Sequence, residues 1–215
     1  MQYVLFDVET TGLSKYDEVI QFCCFIMDGQ LHRCSNMVDF YSMSTQPITQ
    51  GALQKHHVTL GRLRELSKGV FFEESFYKLA KTFERDCTFI YFSSSNFDTR
   101  LVNQTLQNAN LPAYNFGDRI NTLRSVEGHH CFDLQSAVSK YYGIPGGRVS
   151  LEKAVNLVTD GNVNLVTQRY KNFNKVISAK NKELACSEEL LFHNARFDAF
   201  VLWYILHKIG DSFVT

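Results

Sequence analysis

The first third of the chain carries apolar runs that predict β-strands. Residues 3–6 are almost wholly apolar, as expected for a strand that is covered on both faces. A second run at residues 18–27 ends before Asp28-Gly29, which is a hairpin signal, and a third strand is predicted from about residue 31 to residue 43. Three strands in succession predict an antiparallel meander.

The rest of the chain alternates between helical and β-type patterns. A short helix and loop are predicted after Pro47, at residues 48–59. Longer helices are predicted at residues 73–85, 98–109, 132–142, 151–158 and 200–206. Short strands are predicted at residues 87–92 and 118–123. This alternation favours an α/β fold.

Composition narrows the class of protein. At 215 residues with 45% hydrophobic residues, the chain is expected to form a single domain. Lysine plus arginine and aspartate plus glutamate each total 22, so the net charge is zero and any nucleic-acid site must be a local patch.

The cysteines and the length of the apolar runs indicate the cellular compartment in which the protein is expected. The six cysteines form no Cys-x-x-Cys pair, and the N-terminus lacks a basic segment followed by an apolar core. Reduced thiols in a cytoplasmic protein fit this pattern. No apolar run approaches the roughly 18 residues that a membrane-spanning helix needs, so no membrane association is expected.

Two carboxylates interrupt the end of the first predicted strand. Asp7 and Glu9 are two positions apart, so strand alternation points both to the same side. Two like charges close together in an apolar setting are unfavourable unless a cation lies between them. The pair therefore favours binding of a hard divalent metal such as Mg²⁺ or Mn²⁺. The alternative is that the strand ends at Phe6 and both acids are solvated. Gly12 allows a turn beyond them, and Thr10 and Thr11 offer hydrogen-bond donors.

Two further acidic positions lie where helices are predicted to begin. Asp98 follows a strand and a polar turn, so it falls in the first turn of a helix, where an ordinary N-terminal acid is the alternative to a metal ligand. Asp198 precedes an apolar helix, and His193 lies five residues before it, so both can face one cleft. A purely structural histidine is the alternative there.

These segments together resemble a known family. Residues 6–13, Phe-Asp-Val-Glu-Thr-Thr-Gly-Leu, strongly resemble the first motif of the DEDD superfamily of 3′→5′ exonucleases. Phe97-Asp98 is similar to its second motif, although Ser93-Ser94 replaces the usual His-Asn pair. The run from His193 to Ala199 resembles the third motif of the DEDDh branch, in which the histidine is the base. The motifs occur in family order and span nearly the whole chain.

The resemblance implies a fold and a set of functional residues. The implied fold is a ribonuclease-H-like mixed sheet, an antiparallel meander plus parallel strands, with helices on both faces. Two divalent cations, Mg²⁺ or Mn²⁺, are expected, with His193 as general base and four carboxylates as ligands, namely Asp7, Glu9, Asp98 and Asp198. Substrate contacts are expected from Thr10, Thr11, Gly12, Leu13, His57 and Phe97.

The implied activity is removal of nucleoside 5′-monophosphates from the 3′ end of single-stranded DNA. An exoribonuclease that trims short RNA is an alternative, because discrimination rests on how the pocket treats the 2′-hydroxyl. A non-catalytic nucleic-acid-binding or polymerase-accessory module is another alternative, which loss of any of the four acids would have favoured. A DNA polymerase is a possible partner.

A basic segment lies outside the three motifs. Residues 161–182 contain five lysines and arginines and no acid, and Val166, Tyr170 and Phe173 recur at helical spacing. We interpret residues 161–185 as a basic helical insertion. Arg169, Lys171 and Lys175 are predicted to contact phosphates, the alternative being an ordinary solvated face.

One cluster suggests different chemistry. His129, His130 and Cys131 are adjacent in sequence, but they lack a second ligand pair at zinc spacing, so a zinc site is not predicted. Two other adjacent histidines, His56 and His57, fall in the helix and loop predicted after Pro47. A structural role is the alternative to substrate contact for both.

Overall fold

The computed structural model describes residues 1–29, 31, 34–93, 95–123, 127–180 and 192–213, without the side chains of residues 177–180 and 211. The described strands are β1 (Gln2–Thr10), β2 (Val19–Met27), β3 (Cys34–Tyr41), β4 (Cys87–Tyr91), β5 (Asp118–Ile120) and β6 (His130–Asp133). The described helices are α1 (Gln50–His56), α2 (Leu60–Ser67), α3 (Phe72–Ala80), α4 (Phe97–Asn108), α5 (Leu134–Tyr141), α6 (Leu151–Val158), α7 (Asn164–Lys180) and α8 (Ala195–Ile209). Short 3₁₀ turns cover Pro145–Gly147 and Gly210–Phe213.

The described strands form one mixed sheet in the order β3-β2-β1-β4-β6-β5. β1, β2 and β3 pair antiparallel, which confirms the predicted meander. β4 pairs parallel with β1, and β5 and β6 continue the parallel half. The architecture is therefore the ribonuclease-H-like α/β fold that the sequence motifs implied.

Strand β1 is central and has packed layers on both faces, which explains its almost continuous apolar character. On one face, Tyr3 and Leu5 join a cluster with the apolar side chains of α5, α6, α7 and α8. On the other face, Val4 and Phe6 pack with α3 and α4. The ring of Phe6 stacks on Phe22, with ring centroids 5.6 Å apart. Helix α8 is buried almost all round, as expected of a core helix.

Helix α7 forms where the sequence predicted it, and its aromatic residues face inward. Tyr170 packs edge-on against Phe197, with centroids 4.9 Å apart, and Phe173 contacts Phe25 at 5.3 Å. These rings belong to the core and are not exposed for stacking on bases. Residues 181–191, including Lys182, lie outside the described residues, and the interpretation of residues 161–185 as an insertion stays a prediction.

Two helix boundaries differ from the prediction, and helix α2 and strand β6 were not predicted. The helix predicted from residue 132 begins at Leu134, because His130–Asp133 pairs between β4 and β5 as strand β6. The side chain of Asp133 accepts the backbone N–H of Gln135 and so starts the helix after it. Helix α2 was not predicted, although Thr59 caps it by accepting the Arg62 N–H. Helix α3 ends at Ala80, five residues earlier than expected.

Two further observations concern membrane-spanning helices and the cysteines. Across the described ranges, no helix is both long and apolar enough to cross a membrane. Five cysteines are free thiols, at positions 23, 24, 34, 87 and 131, and Cys186 lies outside the described residues.

Candidate active site

Acidic side chains from opposite ends of the sequence meet at the carboxyl end of β1. Asp7, Glu9 and Asp198 each offer a carboxylate oxygen, and these atoms all lie within 4.8 Å of one another. Strand alternation places Asp7 and Glu9 on the same side. The pairing of β1 with β2 shifts register directly after Glu9, so the strand becomes irregular where the acids end.

The first turn of α8 supplies Asp198. The side chain of Asn194 accepts the Arg196 N–H and caps the helix. The Oδ2 atom of Asp198 accepts the backbone N–H of His193 at 3.0 Å, whereas Oδ1 is buried without a hydrogen-bond partner among the described residues. His193 has φ +66°, a left-handed conformation that non-glycine residues rarely adopt and that often marks functional sites.

The first turn of α4 supplies Asp98. Asn96 precedes this helix with φ +54°, and its side-chain oxygen accepts the Tyr91 hydroxyl at 2.6 Å. Ser93 Oγ accepts the Phe97 N–H at 3.1 Å. Ser93, where the family usually has the first residue of a His-Asn pair, therefore stabilises the turn that leads into Asp98. Ser94 lies outside the described residues.

Burial and neighbouring negative charges raise the pKa of all four carboxyl groups. Burial, the largest cause in each case, raises the pKa of Asp198 to about 8 and that of Asp98 to about 7. Burial raises the pKa of Asp7 well above its usual range, with further contributions from the charges of Asp198, Asp98 and Glu9. Burial followed by Asp198 and Asp98 does the same for Glu9.

Two half-buried acids, Asp7 and Glu9, and two buried acids, Asp98 and Asp198, with an orphaned oxygen on Asp198, are the donor set that a divalent cation requires. A cation relieves both the repulsion and the missing contact. The residues present therefore fit the metals that the family implies.

His193 stands at the edge of this acidic cluster. Its Nε2 atom is 3.8 Å from Oε1 of Glu152 on α6. Burial lowers the pKa of His193 below 6.5, Lys55 and His57 lower it further, and Glu152 opposes them. The imidazole is therefore neutral at pH 7 and can accept a proton.

The carboxylates and His193 line an open cleft of about 970 Å³. Thr10, Gly12, Leu13 and Phe97, four of the predicted substrate-binding residues, also line it. Leu13 is 78% exposed at this cleft. Its isopropyl group is thus available to an incoming ligand.

Thr11 has a different role from the one predicted. It is fully buried, and its hydroxyl donates to Asp17 Oδ1 at 2.8 Å and accepts the Glu18 N–H at 3.0 Å. The residue therefore holds the loop after β1 instead of presenting its hydroxyl to the cleft. The same loop explains Gly12, because a Cβ atom there would lie 2.7 Å from Oδ2 of Asp17.

The histidine pair is arranged differently from the prediction. His57 ends α1 with φ +57° and is not among the residues lining the cleft, whereas His56 lies in the cleft wall. His56 is buried, and its Nδ1 accepts the Val58 N–H at 3.0 Å. Burial lowers the pKa of His56 to about 4, so the neutral ring carries its proton on Nε2. Nε2 is buried, and the ring lies within hydrogen-bonding reach of the Thr10 backbone.

Two positively charged side chains in the cleft were not predicted from the sequence. Lys55 and Arg100 line the cleft, and neither has a carboxylate within 4 Å among the described residues. The Arg100 guanidinium lies 5.3 Å above the ring of Phe97. Lys55 was detectable as the residue preceding the histidine pair, and Arg100 as the second residue after Asp98. Arg169, Lys171 and Lys175 lie on α7, away from the described cleft lining.

Arg196 anchors the segment between His193 and Asp198. Its Nε and Nη2 atoms each lie 2.6 Å from Oδ2 of Asp39 on β3, and its Nη1 donates to Asn174 on α7 at 3.1 Å. Asp39 also accepts from Gln21 at 3.0 Å. The side chains of Arg196 and Asp39 are only 7% and 4% exposed. This buried network fixes the start of α8 against β2, β3 and α7.

Removing Asp39 should therefore destabilise the protein strongly. Asp39→Ala leaves a buried guanidinium without its carboxylate, which typically costs about 3–5 kcal/mol, or about 6–20 °C in melting temperature for a chain of this size. Glu65→Ala is the matched control, because it breaks the exposed Arg62–Glu65 pair and should cost less than about 1 kcal/mol. Thermal unfolding measures both, and equal melting temperatures would contradict the anchoring role.

Comparison with known proteins places the chain. The model of the RNase T exonuclease family matches residues 4–141. No curated protein matches the sequence.

Among solved structures, the zinc-bound complex of Escherichia coli exonuclease I with single-stranded DNA superposes with TM-score 0.69 at 13% identity, covering 98% of this chain and 40% of that one. Another exonuclease I structure gives TM-score 0.67 at 14% identity, covering 98% and 41%. The E. coli enzyme with a dT13 oligonucleotide gives 0.67 at 12%, covering 99% and 42%. The chain thus spans about two fifths of the length of exonuclease I. Because the family model covers well over half of the sequence, and the fold and motifs agree with it, this chain belongs to the DEDD-type 3′→5′ exonuclease family.

Proposed function

We propose that this chain hydrolyses the phosphodiester bonds of single-stranded DNA from the 3′ end and releases nucleoside 5′-monophosphates. The observation that carries the proposal is the convergence of carboxylates from β1, α4 and α8 beside a neutral histidine in an open cleft. A binding module without catalysis has no use for four clustered acids whose pKa values are all raised.

The carboxylates would hold the cofactor. Asp7, Glu9 and Asp198 form the close set. Asp98 lines the same cleft and would support a second ion. Two divalent cations, Mg²⁺ or Mn²⁺, supply positive charge for the attacking and leaving oxygens of the displacement. The role of this chain is to keep the acids close enough to favour such ions and to shield them from bulk water.

His193 handles the proton. Its neutral imidazole accepts a proton from the attacking water, and Glu152 at 3.8 Å stabilises the imidazolium that forms. The hydrogen bond from the His193 N–H to Asp198 ties this base to the carboxylate cluster. A base held in one place relative to the scissile bond accelerates the reaction by proximity.

The cleft walls suit a nucleic-acid end. Leu13 offers an exposed apolar surface to a terminal base, and Phe97 offers a ring face with Arg100 above it. Lys55 and Arg100 bring positive charge to a cleft that is otherwise acidic, which suits backbone phosphates. The solved complexes of exonuclease I contain single-stranded DNA, which supports DNA as the substrate. Association with a DNA polymerase rests on the sequence resemblance alone.

The test uses matched DNA and RNA oligonucleotides labelled at the 5′ end, with Mg²⁺, Mn²⁺ or chelator. We expect a ladder of shortened DNA products, nucleoside 5′-monophosphates as the released species, and no reaction in chelator. Faster shortening of RNA would identify an exoribonuclease. Release of 3′-phosphates, or full activity in chelator, would overturn the metal-dependent 3′→5′ assignment.

A further inference from the structure

The β1–β2 loop, residues 11–18, carries the two most exposed large apolar side chains of the described part of the chain. Leu13 is 78% exposed and Tyr16 is 61% exposed. Leu13 lines the catalytic cleft, whereas Tyr16 lies three residues farther along, outside the cleft lining. An extended chain spans at most about 3.3–3.6 Å per residue, so their Cα atoms lie within about 11 Å of each other. Tyr16 is therefore positioned beside the mouth of the cleft.

Hydrogen bonds within the β1–β2 loop fix its shape. Asp17 is buried, and its Oδ1 accepts the Thr11 hydroxyl at 2.8 Å. Its Oδ2 accepts the Ser14 N–H at 2.6 Å, and Ser14 Oγ accepts the Tyr16 N–H at 3.2 Å. A loop that is already ordered loses little further conformational entropy when its outward side chains bind a ligand.

Helix α4 fastens this loop to the wall of the cleft. Gln104 Nε2 donates to the carbonyl oxygen of Ser14 at 3.1 Å, and Gln104 Oε1 accepts Nη1 of Arg100 at 3.0 Å. Arg100 lines the cleft. One turn farther along α4, Asn108 Nδ2 donates to the carbonyl oxygen of Tyr16 at 3.1 Å. A single side-chain amide thus connects a cleft cation to the loop that carries Tyr16.

The charges of the loop are sorted between its two sides. Asp17 and Glu18 are each only 5% exposed, and the Glu18 carboxylate accepts the Ser44 hydroxyl at 2.7 Å. The Lys15 ammonium group lies over the Tyr16 ring, 4.9 Å from its centroid. The exposed side of the loop therefore combines an aromatic ring with a cation. Single-stranded nucleic acids are bound by this combination, because bases stack on the ring and phosphates attract the cation.

We infer that the single strand leaves the cleft over the β1–β2 loop and that a base upstream of the scissile bond stacks on Tyr16. This inference rests on the proposed function, because it adds a subsite for the same substrate. The limit of about 11 Å between Leu13 and Tyr16 corresponds to a few base steps at about 3.4 Å each. Arg100 and Lys15 lie beside this stretch of the strand, where they can contact its phosphates.

The experiment measures the affinity, in chelator, of oligothymidylates in which one abasic site is moved stepwise from the 3′ end. In the parent, an abasic site at one position upstream of the terminal nucleotide should weaken binding, because the base that stacks on Tyr16 is missing. Tyr16→Ala should bind the intact strand about 5-fold to 150-fold more weakly, the range for loss of one base–aromatic stack. An abasic site at that same position should cost this variant nothing more.

Two controls separate stacking from a general effect of mutation. Tyr16→Phe keeps the ring and should keep the affinity and the abasic profile of the parent. Tyr141→Ala should match the parent as well, because Tyr141 is 50% exposed on α5 and does not line the cleft. Tyr16→Ala should melt at the temperature of the parent, since it removes an exposed side chain.

Two outcomes would overturn the Tyr16 subsite and leave the function standing, provided that the parent degrades DNA. One is an affinity of Tyr16→Ala for the intact strand equal to that of the parent. The other is an abasic profile that is the same in Tyr16→Ala as in the parent. If the parent neither binds nor degrades any single strand, both proposals fail.

Discussion

Replacing Asp7 with Asn is expected to lower kcat by about 10³-fold or more and to raise the melting temperature of the metal-free protein. The activity falls because metal-assisted charge stabilisation contributes several kcal/mol, and each 1.36 kcal/mol is a factor of ten in rate. The stability rises because the substitution removes a carboxylate whose pKa is raised by burial and by the charges of Asp198, Asp98 and Glu9. Relieving that repulsion should raise the melting temperature by several degrees.

The gain in melting temperature should depend on pH. Burial and neighbouring charges raise the pKa of Asp7 well above its value in the unfolded chain. Above the unfolded pKa of about 4, the folded protein therefore holds more protons than the unfolded chain, and its free energy of unfolding falls as the pH rises. The Asn variant lacks this titration at position 7. Its advantage should be larger at pH 8 than at pH 5.

The matched control is Asp118→Asn, which neutralises an exposed acid on β5 and should change neither kcat nor the melting temperature. Steady-state kinetics with Mg²⁺ and thermal unfolding in chelator give the two readouts. A metal-free Asp7→Asn protein that melts several degrees below the parent would make Asp7 a structural residue and not a strained ligand.

Replacing His193 with Gln is expected to lower kcat by about 10²–10⁴-fold, the range that a general base contributes. The parent rate should rise with pH through the pKa of His193 and reach its plateau before pH 7, because burial and Lys55 lower that pKa below 6.5. The variant should lose this rising limb, since glutamine does not titrate. Single-turnover rates from pH 5 to pH 8 measure both effects.

His207→Gln is the control for His193→Gln, because His207 lies near the other end of α8, stacked on Trp203. It should retain the parent rate and pH profile. Binding of a long oligonucleotide in chelator should be close to the parent value for both variants. A His193→Gln enzyme with a kcat within a few-fold of the parent would show that another group accepts the proton.

The sequence predicted side-chain positions correctly where they depend on a single strand or helix. The two-residue spacing of Asp7 and Glu9 determined their common side, because strand alternation depends on nothing beyond the strand itself. Asp98 could be assigned to the first turn of its helix because a polar turn precedes it. Asp198 could be placed only near the start of the last helix, which begins at Ala195, five residues before the predicted apolar run. The meander followed from three consecutive strands and one hairpin signal.

The sequence did not predict features that depend on residues far apart in the chain or on the exact residue at which a helix ends. Strand β6 has four residues, too few to display alternation, and it exists because β4 and β5 pair with it. The choice between His56 and His57 depends on where α1 ends, since a one-residue step turns a side chain by about 100° around a helix. The role of Thr11 depends on Asp17 folding back onto it, which residue spacing does not reveal.

The junction of β1 with α8 has a consequence for when the enzyme becomes active. Asp7 and Asp198 lie near opposite ends of the described chain, so the cluster closes a very long loop, and contacts of such long range tend to form late and slowly. During synthesis, at about 5–20 residues per second, β1 and α4 emerge well before α8. A nascent chain at that stage has three carboxylates but neither Asp198 nor His193. Docking of α8 thus completes the ligand set and supplies the base in a single step, and the growing chain stays catalytically inert until that step.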